Sequence, residues 1–155
     1  MSSKSEQKRQ MKSAARLYAV QALFQMESAG QTVEKVMVEF EDHRFGASYD
    51  GDEMVDGNVK LFRQIMESAV NLQAKIDQMT DRALVAKWPL GRIDPTLRAL
   101  FRAAGAELLD NDTPPKVVIN EFVDVVKAFF PEGREPKLVN GVLDHMAREA
   151  KPEAF

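Results

Sequence analysis

The chain is 155 residues long, contains no cysteine and carries a formal net charge of −3. That length suffices for one domain, or for two small subdomains sharing a core, without disulfide or metal staples, and the absent thiols exclude a disulfide framework and a thiolate metal site. The slight acidity argues against a uniformly basic nucleic-acid binder, so any such function has to come from local charge.

Charge is uneven from the start. Lys4, Lys8, Arg9, Lys12 and Arg16 stand against Glu6 alone within residues 1–16, and the polarity through Gln10 predicts a basic, partly disordered arm over 1–12. From Ser13 the pattern turns helical. Leu17, Val20 and Phe24 form a stripe, alanines fill positions 14, 15, 19 and 22, and Gly30 supplies a C-terminal stop. Thr32 caps a second helix in which Val33, Val36, Met37 and Phe40 recur at helical spacing, ending near His43. Between Arg44 and Asn58 the period lapses, and Gly46, Gly51 and Gly57 mix with Asp50, Asp52, Glu53 and Asp56 in an acidic surface loop. Val59, Phe62, Ile65, Met66, Ala69, Leu72 and Ile76 mark a long third helix. It completes an N-terminal bundle over 13–79.

The second half, 80–155, opens with a short helix around Arg82–Lys87, and Trp88-Pro89-Leu90-Gly91 then punctuates the chain. Trp88 reads as a packing plug between the two bundles. Asp94-Pro95 is an N-cap followed by proline at the first helical position, and Leu97, Leu100, Phe101, Ala104 and Leu108 give the next helix an apolar face with Arg98, Arg102 and Glu107 off it. Val118, Phe122, Val125 and Phe129 stripe a helix bounded by Pro115, Pro131 and Gly133, and Pro136 starts a last one carrying Leu138, Val142 and Met146 with Val139 and Leu143. About seven helices, no period-two strand and no internal repeat make the fold all-α.

Catalytic chemistry is poorly represented. His43 and His145 are far apart in sequence, and no HExxH, CxxC, GxSxG or phosphate-cradling glycine motif occurs. Glu121 and Asp124, three apart, read as a solvated face rather than an acid–base pair. No catalytic residue, metal site or cofactor is assigned, and the chain is expected to be no enzyme. Without an apolar leader or an eighteen-residue apolar run, a soluble cytoplasmic protein is expected. By charge alone, Lys8, Arg9, Lys12 and Arg16 are equally a solvated tail or an edge for phosphates. Lys116 and Lys137 stand at helix starts, where a cation opposes the helix dipole, and anion contacts would explain their placement. Asn120 reads as a buried amide tying loop to helix. Asn140 is evenly balanced between that role and a functional one, beside Gly141, which allows close approach of a helix or ligand.

The blocks PPKVVINE and PKLVNGVLD, with LGRIDPTLRALFRAAGAELL before them and AARLYAVQALFQM near the N-terminus, resemble the NusB family of bacterial transcription antitermination factors. The resemblance implies two three-helix bundles joined by a short connecting helix. It further implies binding of single-stranded boxA RNA from ribosomal RNA operons together with the ribosomal protein NusE, within an RNA polymerase antitermination complex. On that reading Lys8, Arg9, Lys12, Arg16, Lys116, Lys137 and Asn140 are the candidate RNA-binding residues, and Phe24 is the candidate partner-binding residue. Lys12 and Arg16 sit where family arginines fall, whereas Ser13 and Ala14 replace positions that are often basic. Leu138 stands where the family commonly has a phenylalanine that contacts RNA. Two other readings are a helical RNA-binding module related to that of rRNA cytosine methyltransferases and a helical protein–protein scaffold without RNA binding.

Overall fold

Seven α-helices follow one another in the computed structural model, which describes residues 3–46, 48–49, 52–53, 56–89 and 91–155. They are α1 (Lys4–Ala29), α2 (Val33–Glu39), α3 (Val59–Asn71), α4 (Gln73–Lys87), α5 (Pro95–Asp110), α6 (Pro115–Phe129) and α7 (Glu135–Ala150). A π-helical turn, Phe40–Arg44, prolongs α2, and a 3₁₀ turn, Pro152–Ala154, follows α7. The all-α class holds. The stretch read as an irregular acidic loop contains one small antiparallel pairing of β1 (Ser48–Tyr49) with β2 (Asp52–Glu53). Asp50, Gly51 and Leu90 lie outside the described residues.

Three elements depart from the sequence expectation. α1 starts at Lys4 rather than Ser13, because the Ser3 hydroxyl accepts the Glu6 amide at 3.1 Å. Ser3 and Glu6 have the spacing of a capping box, and such a cap contributes about 0.5–2 kcal/mol. The expected long third helix is broken at Leu72 (φ −109°, ψ 16°), so Ile76 and Arg82–Lys87 belong to one 15-residue helix, α4. Ala69, Leu72 and Ile76 keep helical spacing across the bend, and neither glycine nor proline marks it. The buried residues of α1 are Ala15, Arg16, Tyr18, Ala19, Val20, Ala22 and Leu23, so of the expected stripe Val20 is buried while Leu17 is half-buried and Phe24 exposed. Val59 and Phe129, also placed on stripes, are exposed.

Helix α5 packs against α1, α3, α4, α6 and α7 and so belongs to both halves. It can do so because Ala99, Ala103, Ala104, Gly105 and Ala106 keep it slim; all are buried. A Cβ on Gly105 would meet Ile76 Cγ2 at 2.5 Å, so α4 rides directly on the α5 backbone there. Gly141, expected to serve close approach, has room for a Cβ at 3.8 Å from that of Lys87. Leu100, Phe101, Phe122, Val125, Val142 and Leu143 all lie in one continuous core with Phe40 and Phe62. Trp88 packs against it partly buried. At the far end of α1, Arg102 bonds Asp77 of α4 (3.1 Å) and Glu27 of α1. No described helix is long and apolar enough to cross a membrane.

Candidate nucleic-acid and partner interface

The burial pattern of α1 divides the basic residues into two kinds. Lys8, Arg9 and Lys12 are exposed on turns that precede the first buried residue, Ala15. Arg9 makes a surface contact with Glu6 at 4.0 Å, and neither Lys8 nor Lys12 has an ion pair with a described carboxylate. These three can meet phosphates.

Arg16, expected among the RNA contacts, is buried. It is 3% exposed, and its guanidinium forks onto the fully buried Glu107 with two bonds of 2.8 Å. A third contact runs to Glu121 at 3.5 Å, and Glu121 also accepts the Ser13 hydroxyl at 2.8 Å. Burial pulls the Arg16 pKa down, but the bonds and charge of Glu107, and behind them the charge of Glu121, outweigh it and hold it above the ordinary value. The cluster ties α1 to α5 and α6. Arg16, Ala19, Val20 and Leu23, like Leu100, Ala104 and Glu107, follow core spacing. An arginine and a glutamate each in the core phase of their helices were the available signal.

Helix directions decide which other candidates join the basic end. Ser13 faces Glu121, while Gln21 and Phe24 share a recess with Phe129, so α1 and α6 run the same way. The first turn of α6, with exposed Lys116, thus lies at the same end as the cations of α1. Lys151 at the end of α7 donates to Asn111 O at 2.6 Å, just ahead of α6, so α7 runs antiparallel to α6. Lys137 and Asn140, both exposed on the first turns of α7, therefore lie toward the other end of α6, about 17 and 12 Å along it from Lys116. The structure brings Lys8, Arg9, Lys12 and Lys116 together and leaves Lys137 and Asn140 apart from them.

Between α1 and α6 runs a groove of about 950 Å³ whose lining includes Arg9, Ala14, Leu17, Tyr18, Arg44 and Glu121. Arg44 stands over the Phe40 ring at 5.0 Å. Glu121 and Asp124 do not form a pair: the Glu121 side chain is 20% exposed and engaged by Arg16, whereas that of Asp124 is 72% exposed, 3.8 Å from Lys127. Asn120 is exposed rather than buried. No cluster of three or more potential metal ligands occurs among the described residues.

Further along α1, Phe24 is 39% exposed and separates two recesses. One, of about 760 Å³, is lined by Leu84, Trp88, Ile93 and Ala99, with Val85, 90% exposed, at its rim. The other, of about 400 Å³, contains Gln25, Phe40, Arg44 and Phe129. A protruding aromatic flanked by apolar hollows is suited to a protein partner. One continuous helix thus carries exposed cations at its start and this aromatic near its end.

Residues 13–148 match the model of the NusB family. The chain is 44% identical over 154 residues to a transcription antitermination protein NusB of Maricaulis maris, covering 99% of this chain and 96% of the relative. Proteins of the same name from Agrobacterium fabrum (46% over 142 residues, 91% of this chain and 86% of theirs) and Brucella abortus (47% over 141 residues, 90% and 82%) are also similar.

Proposed function

Because the chain belongs to the NusB family, we propose that it is a non-enzymatic transcription antitermination factor of the cytoplasm. In this role it binds single-stranded boxA RNA of ribosomal RNA operons together with the ribosomal protein NusE and helps assemble the RNA polymerase antitermination complex.

The observation that carries this reading is the layout of α1. Lys8, Arg9 and Lys12 are exposed at its start, beside Lys116 at the start of α6, and cations projecting from a helix hold a flexible phosphate backbone without demanding its sequence. Phe24, on the same helix, stands between two apolar recesses. Its aromatic ring offers a buried anchor for a protein, with Arg92 and Arg98 beside it to set orientation. Lys137 and Asn140 serve the RNA as a second contact region toward the far end of α6, reached by a strand that runs along the α1 and α6 face. Leu138, partly buried, offers no stacking surface there.

The test is a titration of labelled boxA-like RNA with the protein alone, with NusE, and with both. Tighter binding by the mixture than by either protein supports the reading. Absence of RNA binding in every combination refutes it.

A further inference from the structure

We propose that Arg16 is a positioning residue for RNA, aiming the exposed start of α1 without touching the RNA itself. The inference rests on the function proposed above. Among the described residues, Arg16 and Glu107 are the buried charged side chains, and they lie where α1 leaves the body of the protein. From Lys4 to Ala14 no residue of α1 is buried. Among the described residues its root is held by the Asn58 amide to Met11 O at 3.0 Å, by Ser13 to Glu121 at 2.8 Å and by the packing of half-buried Ala14 on the core. Behind the root α1 buries Ala15, Tyr18, Ala19, Val20, Ala22 and Leu23, with Tyr18 stacked on Phe45 at 4.7 Å; apolar burial of this kind is non-directional and tolerates a small slide or turn of the helix. A forked guanidinium–carboxylate pair does not permit this, because both bonds depend on angle as well as distance. Arg16 fixes α1 against α5 through Glu107 and against α6 through Glu121. Lys8, two turns nearer the N-terminus, swings about 12 Å from this anchor, so a small rotation at Arg16 spreads the positions of the cations in the free protein, and they have to be ordered again when RNA binds.

Replacing a buried ion pair by apolar groups of similar volume is commonly neutral or stabilising, which separates positioning from stability. The variant is Arg16→Met with Glu107→Leu. The chain lacks cysteine, so spin labels at Ser5→Cys and Val117→Cys report the spacing of the α1 overhang from α6. The unaltered pair should give a narrow distance distribution and the apolar pair a broad one, at equal or higher melting temperature. Affinity for single-stranded RNA should fall about tenfold as preorganisation is lost, with the salt slope unchanged because the phosphate-binding cations remain. Ser13→Ala leaves Arg16 paired with Glu107, and should lower affinity about threefold through the single lost bond. An unchanged distance distribution, or unchanged RNA affinity in both variants, overturns the proposal. A salt slope smaller by about 0.7 in the apolar variant would instead make Arg16 a direct phosphate contact and overturn it too. The distance measurement needs no RNA, so the orienting role is decided by it even where failure of RNA binding refutes the function proposed above.

Discussion

Gly105→Ala is a one-methyl change whose outcome depends on two opposed effects. In an unpacked helix the substitution stabilises by up to about 1 kcal/mol, since alanine restricts the unfolded chain and favours helix. Here the new Cβ would lie 2.5 Å from Ile76 Cγ2 and 3.3 Å from Ile76 Cγ1. Ile76 is fully buried and β-branched, with little rotamer freedom in α4, so the strain has to be relieved by moving α4 away from α5. Overpacking of this kind costs about 1–3 kcal/mol. The net expectation is a loss of about 1–2 kcal/mol, which for a chain of this size lowers the melting temperature by about 2–8 °C. Urea unfolding of both proteins, compared at equal slope, measures it. Ile76→Ala alone should destabilise by about 2–5 kcal/mol, and the double variant by less than the sum, because the methyl introduced on α5 occupies part of the space Ile76 leaves. A Gly105→Ala protein as stable as the parent, or additive double-variant losses, would refute the close approach of α4 to α5.

Phe122→Ala should cost about 3–5 kcal/mol in the same unfolding assay, since the ring is fully buried between α6 and the shared core; a loss below about 1 kcal/mol would contradict that placement. Phe24→Asp should leave stability nearly unchanged, because the ring is 39% exposed, yet weaken NusE binding at least about tenfold by calorimetry. If RNA and partner bind cooperatively, linkage requires the same variant to reduce the gain in RNA affinity that the partner provides.

Helix number, most boundaries and the identity of the large core residues were legible in the sequence because periodic apolar positions and proline or cap residues act locally. Pro115, Asp94 and Gly30 did what their backbone preferences dictate. The bend at Leu72 was not legible, since the apolar spacing passes through it undisturbed and neither glycine nor proline marks it. The buried face of α1 was hidden for another reason: large side chains drew the stripe toward Leu17 and Phe24, whereas the tight approach of α5 selects alanines. The same bias toward large side chains puts Arg16 off the core face, where a cation is expected to be exposed. Its burial depends on a partner 91 residues away in α5, a pairing that charge patterns along one helix do not reveal. Lys8, Arg9 and Lys12 were legible as a basic edge because exposure of a polar helix start needs no tertiary information. That Lys116 joins them, and that Lys137 and Asn140 do not, follows from helix direction alone.

The most direct measurement is RNA affinity across a salt series for the parent protein and the Lys8→Gln, Lys12→Gln double variant. Phosphate contacts by Lys8, Arg9 and Lys12 contribute about −2.1 to the slope of the logarithm of affinity against the logarithm of salt, from about 0.7 per contact on a single strand. Glutamine is a good helix former, so α1 should stay helical while the slope shrinks by about 1.4 and affinity falls. A slope that does not change in the double variant would contradict phosphate binding at the exposed start of α1.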